Sequence, residues 1–138
     1  MKEIKSRSNC PVSYTLDFLG DKWSLLIIRD IMVYEKPTYG EFLCSDEKIA
    51  TNILANRLEM LEENGFITKK VSPDKKNKFN FSLTEKAIAL VPLIMEMAIW
   101  GSRFNPPGLD PELMDSLNED KEGTIIALQE KLRSALQK

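Results

Sequence analysis

The sequence contains no histidine. That removes histidine-ligated metal sites and every Ser-His or Cys-His catalytic arrangement. Cysteine is scarce: Cys10 and Cys44 stand alone, too few for a disulfide framework. No stretch approaches the roughly 18 apolar residues of a membrane span. No apolar run follows the basic start, so no secretory signal is expected. A Gly-rich phosphate loop is missing as well. Acid pairs such as Glu62-Glu63 lie near a helix end and read as solvated. These absences lead to the expectation of a cytoplasmic protein that is not an enzyme and carries no metal or cofactor.

Hydrophobic residues make up 43% of the 138 residues and charged ones 29%, with a net charge of −2. That composition fits a soluble globular chain of one domain, or one domain with an appended helix.

The most informative stretch runs from Ala50 to Leu83. Ala50, Ile53, Leu54, Leu58 and Leu61 recur at helical spacing and predict a helix stopped by Gly65. At about 100° per residue, Thr51, Asn52, Ala55, Asn56 and Glu59 share the opposite face. That face is small, polar and uncharged near its start, so it can enter a major groove and reach base edges. Two strand-like runs follow, Phe66 to Val71 and Lys78 to Leu83, around a turn at Ser72-Pro73-Asp74-Lys75-Lys76-Asn77. Between Lys69 and Asn80 stand five lysines and one acid, a local net of +4 on a weakly acidic chain. A basic hairpin after such a helix reads as a phosphate-binding wing. Taken alone, the two pieces also read as a surface helix and a solvated hairpin.

Upstream, residues 1–9 are mostly polar and read as a flexible arm. Cys10-Pro11 opens a short helix that reaches Gly20, with proline suited to the first turn. From Asp21-Lys22-Trp23 a second helix runs on. It is apolar almost all round and is therefore expected at the centre of the core. Glu35-Lys36-Pro37 ends it. Thr38 then reads as the N-cap of a short helix, with Glu41 three residues on, as in a capping box. Helix, helix, short helix, turn, helix and hairpin is the order of a helix-turn-helix with a wing.

Several segments also resemble a known family. They are Cys10-Pro11-Val12, Gly20-Asp21-Lys22-Trp23-Ser24-Leu25-Leu26-Ile27-Ile28-Arg29, and Leu54-x-x-Arg57-Leu58-x-x-Leu61-x-x-x-Gly65-Phe66-Ile67. Together with Phe79 to Glu85 they are similar to the HxlR-type winged helix-turn-helix regulators, a MarR-like group. The resemblance covers roughly Cys10 to Gly101. It implies a cytoplasmic homodimer on palindromic operator DNA, with some members sensing electrophiles or oxidants through the cysteine matching Cys10. Three departures stand out. Thr38 replaces a frequent basic residue, which bears on one phosphate contact. Phe81 replaces a usual tyrosine. The tail after Phe104 is longer than the pattern needs.

Dimerisation is also expected from periodicity. A helix capped by Thr84 and reaching Gly101 carries two apolar stripes, Ala87-Val91-Ile94-Ala98 and Leu90-Leu93-Met97-Trp100. One stripe suffices for a helix's own domain, and the second calls for a partner. Pro92 is expected to kink it. Asn105-Pro106-Pro107-Gly108 reads as a linker. Beyond it seven acids face four bases, and Ile125, Leu128, Leu132 and Leu136 mark an amphipathic last helix.

The expected architecture is mostly α with a small β-hairpin, a winged helix-turn-helix dimerised through terminal helices. Residues 1–9 form the arm, 10–104 the DNA-binding domain with its dimerisation helix, and 105–138 a helical extension. Thr51, Asn52 and Asn56 are the candidate base contacts. Lys75, Lys76 and Lys78 are the candidate phosphate or minor-groove contacts. Arg57 lies in the apolar arc, where a salt bridge or snorkelled packing is as open as a phosphate contact. Cys10 is a candidate redox sensor, because a helix N-terminus favours thiolate. Cys44 reads as a small packing residue. Partners are double-stranded DNA, a second copy and a small-molecule effector held between the core and the dimer helix. The alternative function is a winged-helix protein-interaction module that does not read DNA.

Overall fold

The computed structural model describes residues 3–35, 38–74, 78–105 and 109–136. The chain clusters into two compact units, one up to Ser82 and one from Leu83 onward.

In the first unit, α1 (Pro11–Leu19) starts with Pro11 in its first turn and stops at Gly20. Gly20 has ordinary right-handed backbone angles, so its need for glycine is one of space. A Cβ there would lie 2.5 Å from the Leu16 carbonyl oxygen. Asp21 opens α2 (Ser24–Met32) by accepting from the Trp23 and Ser24 amides at 3.0 and 2.9 Å. Ile27, Ile28, Ile31 and Met32 are all buried, which places α2 at the centre of this unit's core as its apolar character predicts. Asp30 is also buried and is satisfied by Arg29 at 2.7 Å and by the Ser45 hydroxyl. Arg29 reaches on to both carboxylate oxygens of Glu47, at 3.0 and 2.8 Å.

The Thr38 hydroxyl caps α3 (Tyr39–Leu43) by accepting from the Glu41 amide, and it donates to the Glu41 carboxylate at 2.8 Å. Helix α4 (Thr51–Glu63) buries Leu54, Leu58, Met60 and Leu61. It ends at Gly65, whose φ of +80° is the left-handed conformation expected of that glycine. Strands β1 (Ile67–Val71) and β2 (Phe79–Leu83) pair as a two-stranded hairpin. Phe81 and Leu83 are buried while Phe79 is 40% exposed. An antiparallel bridge between Thr38 and Asn80 ties the hairpin to the start of α3. The Phe42 and Phe81 rings pack at 5.9 Å.

In the second unit, the single kinked helix expected from Thr84 to Gly101 is two helices, α5 (Glu85–Ile88) and α6 (Val91–Ser102). The break falls at Ala89-Leu90, which puts Pro92 in the first turn of α6. There its missing N–H leaves no bond unmade, so proline marks a start and not a kink. Two further helices follow, α7 (Pro111–Glu119) and α8 (Lys121–Leu136). The sequence reading missed α7, although Asp110-Pro111 is a regular start signal, and the Asp110 carboxylate accepts from the Glu112 amide at 3.3 Å. Ile125, Leu128, Leu132 and Leu136 are half-buried along α8. That helix is tied back by Gln129 donating to the Ile88 carbonyl at 3.1 Å and by Arg133 pairing with Glu85 at 3.1 Å. Among the described residues no helix is long and apolar enough to cross a membrane.

Candidate nucleic-acid interface

The first turn of α4 exposes Thr51 and Asn52 to solvent, and the next turn exposes Ala55 and Asn56. Ala50 occupies the N-cap without a side-chain hydrogen bond. The first-turn amides of α4 therefore have no side chain seated over them. Asn56 accepts from Arg57 through its Oδ1, at 3.1 and 2.7 Å. Its amide nitrogen remains a donor with no partner among the described residues.

Arg57 takes the ion-pair option left open by the sequence. Its guanidinium lies 3.4 Å from Asp21 and is half-buried. Burial pushes the Asp21 carboxyl up, but hydrogen bonds from the Ser24 hydroxyl and from the Trp23 and Ser24 amides, together with Arg57, outweigh it and hold the pKa below the usual carboxylate value. A charge on α4 and the cap of α2 are thus one electrostatic unit. The motif supplied both residues, but not their pairing.

Tyr39, the first residue of α3, supports the site from below. Its hydroxyl donates to the Thr51 carbonyl at 2.8 Å and pins α3 to the first turn of α4. That bond sets how the polar face of α4 is held. An aromatic residue following an N-cap gives no sequence signal for such a role.

In the hairpin, Lys69 stands over the Phe79 ring with its ammonium 4.4 Å from the centroid. Lys70 and Lys78 are exposed. Lys75 and Lys76 lie outside the described residues. The Ser72 amide donates to the Lys78 carbonyl at 2.8 Å, closing the described part of the turn.

Cys10 is the extended N-cap of α1 and is exposed. Backbone N–H groups of Ser13 and then Val12 stabilise its thiolate and lower its pKa from the ordinary cysteine value. The segment before it is held by Arg7 on Asp17 at 2.5 Å and by the Cys10 amide on the Ser8 hydroxyl at 3.2 Å. Cys44, expected to be a packing residue, is instead exposed at the C-cap of α3. Its place at the end of a five-residue helix leaves little to pack against.

A short helix pinned to a second, exposed one, followed by a basic hairpin bridged back to it, defines a winged helix-turn-helix transcriptional regulator. The chain belongs to the HxlR-like helix-turn-helix family, which matches residues 18–108. The putative regulatory protein MalR of Fusobacterium mortiferum is 31% identical over 99 residues, covering 72% of this chain and 93% of that protein. The HTH-type transcriptional regulator YodB of Bacillus subtilis is 34% identical over 100 residues, covering 72% and 88%. The structure of reduced YodB matches with a TM-score of 0.57 over 73% of this chain and 99% of that one. YodB has also been solved in diamide-treated and quinone-bound forms. The redox regulator HypR in its oxidised form is 31% identical, with a TM-score of 0.63 over 70% of this chain and 98% of that one. These relatives are regulators and not enzymes.

Proposed function

We propose that this regulator is a cytoplasmic homodimer that binds a palindromic operator in double-stranded DNA. The observation that carries the reading is the exposed, uncharged first half of α4, fixed by Tyr39 and flanked by the lysine hairpin. Thr51, Asn52 and Asn56 face base edges, where asparagine can pair bidentately with adenine. Lys75, Lys76 and Lys78 meet phosphate or the minor groove at the wing. Arg57 holds α4 to Asp21 and adds positive potential beside the backbone. In this reading residues 10–104 carry DNA binding and dimerisation, and 105–138 form an extension.

Dimerisation is supported by the second stripe of α6. Leu93, Met97 and Trp100 are 38%, 49% and 65% exposed, and Phe104, its ring tilted against that of Trp100 at 5.2 Å, is 73% exposed. A contiguous apolar strip of that kind is an interface signal. Cys10 senses electrophiles or oxidants in this reading. Its lowered pKa and exposure support the role, as does the likeness to YodB, a protein solved with quinone bound.

The test is duplex binding at several salt concentrations, with the region upstream of the protein's own gene set against scrambled DNA. Tight, selective binding that weakens steeply with salt is expected. Weak, salt-insensitive binding to both would instead support a protein-interaction module. Diamide should release the wild type from operator and leave the Cys10→Ser protein bound; equal release of both would remove Cys10 from the sensor role.

A further inference from the structure

A cleft of about 840 Å³ opens between α4 and the hairpin, within the size range of small-molecule sites, roughly 300–1,000 Å³. Its base is apolar and aromatic: Leu58, Phe79, Phe81 and Tyr39 line it. Along one wall, α4 contributes Glu59, Glu62 and Glu63. The hairpin wall contributes Lys69 and Lys78. We propose that this cleft is the binding site for an amphiphilic organic cation bearing aromatic groups, and that its occupant competes with DNA.

Three features set the sign of the ligand. None of the three glutamate side chains forms an ion pair or hydrogen bond among the described residues. Spaced three and four apart near the C-terminal end of α4, they repel one another and face the negative end of the helix dipole. An added positive charge relieves both. The opposing Lys69 and Lys78 do not reverse this, because the lining sets three carboxylates against these two ammonium groups, and the Lys69 ammonium lies over the Phe79 ring at 4.4 Å. That contact also shows that the ring turns its face to a cation inside the cleft. A ligand cation can therefore sit among the carboxylates while its aromatic body displaces the Lys69 ammonium from Phe79 and lies on Phe79, Phe81 and Leu58.

Competition with DNA rests on the proposed docking. Ala55 and Glu59 share the face of α4 that carries Thr51, Asn52 and Asn56, and Lys78 is a candidate phosphate contact. A duplex gripped by α4 and the wing covers the space between them. Ligand and duplex then exclude one another, and by linkage each weakens the other equally.

The experiment is calorimetric titration of the full chain with tetraphenylphosphonium, using tetraphenylborate as a probe of the same shape and opposite charge. One phosphonium should bind per chain, at least about tenfold tighter than the borate. The variant Glu59→Gln/Glu62→Gln/Glu63→Gln, all at exposed positions, should lose most of that preference. Phe79→Leu should weaken the phosphonium severalfold while keeping an apolar side chain in place. Equal binding of the two probes, or unchanged phosphonium binding in the triple variant, overturns the site. In a second arm, phosphonium should displace a labelled duplex from the wild type at low salt, but not from the triple variant. Binding without displacement leaves the site standing and overturns the docking that puts the duplex over it.

Discussion

The Asp21 carboxylate accepts three hydrogen bonds and pairs with Arg57, so it contributes stability only while ionised. Its folded pKa lies below its unfolded one. The contribution is therefore complete above the unfolded value, near 4, and is lost as pH falls through the folded value. Asp21→Ala should cost about 1–2 kcal/mol in urea unfolding at pH 7. The gap to wild type should narrow as pH falls below the ordinary carboxylate value and through the lower folded one. A gap that stays constant with pH would show the side chain acting through packing alone. At Cys10 the same logic concerns reactivity. With its thiolate favoured by the Ser13 and Val12 amides, alkylation by iodoacetamide, followed by mass spectrometry, should reach half-maximal rate below the pH at which an ordinary cysteine does. At the wing, Lys78→Ala should weaken binding to all sequences alike and lower the salt slope by about one.

At the scale of elements, what could be read from the sequence depended on local signals. Helices α1 to α4 and the hairpin follow from apolar spacing, proline and glycine placement and the Thr38 cap, all of which act within a few residues. Pro92 was misread because its effect depends on where the helix begins, and Ala89-Leu90 carries no breaker. Helix α7 was missed because a proline-rich linker and acidic composition drew attention from Asp110-Pro111. The candidate contacts on α4 were legible as an exposed polar face. Their supports were not, since Tyr39 to Thr51 and Arg57 to Asp21 join residues 12 and 36 positions apart. Tyr39→Phe should keep the packing and lose one hydrogen bond, costing roughly 0.5–1.5 kcal/mol of stability. If the bond also orients α4, operator affinity should fall by more than the affinity for scrambled duplex. An equal fall for both would confine the bond to stability.

For the whole molecule, net charge and local charge differ in sign. The chain is weakly acidic, with a pI near 5.3, yet its hairpin is strongly basic, so the proposed attraction to DNA would be local and would orient the protein. The exposed strip from Leu93 to Phe104 lies in the unit beginning at Leu83. In the proposed dimer, a charge placed there should separate the two copies. Trp100→Glu is expected to shift the protein from dimer to monomer in light scattering and to reduce operator affinity, since two half-sites are no longer bound together. A dimer that persists in that variant would move the interface elsewhere. Such an interface has no sequence signature beyond a second apolar stripe, because periodicity records burial and not the identity of the neighbour.

The bond from Tyr39 ends on a backbone carbonyl of residue 51, not on its side chain. Every amino acid supplies that acceptor. Position 51 is therefore a socket whose fitting is independent of the part placed in it. If residues 51, 52 and 56 meet bases as proposed, a library varied at these positions should yield regulators of altered target preference with largely unaltered folding, and descendants of this chain can acquire new targets by the same route.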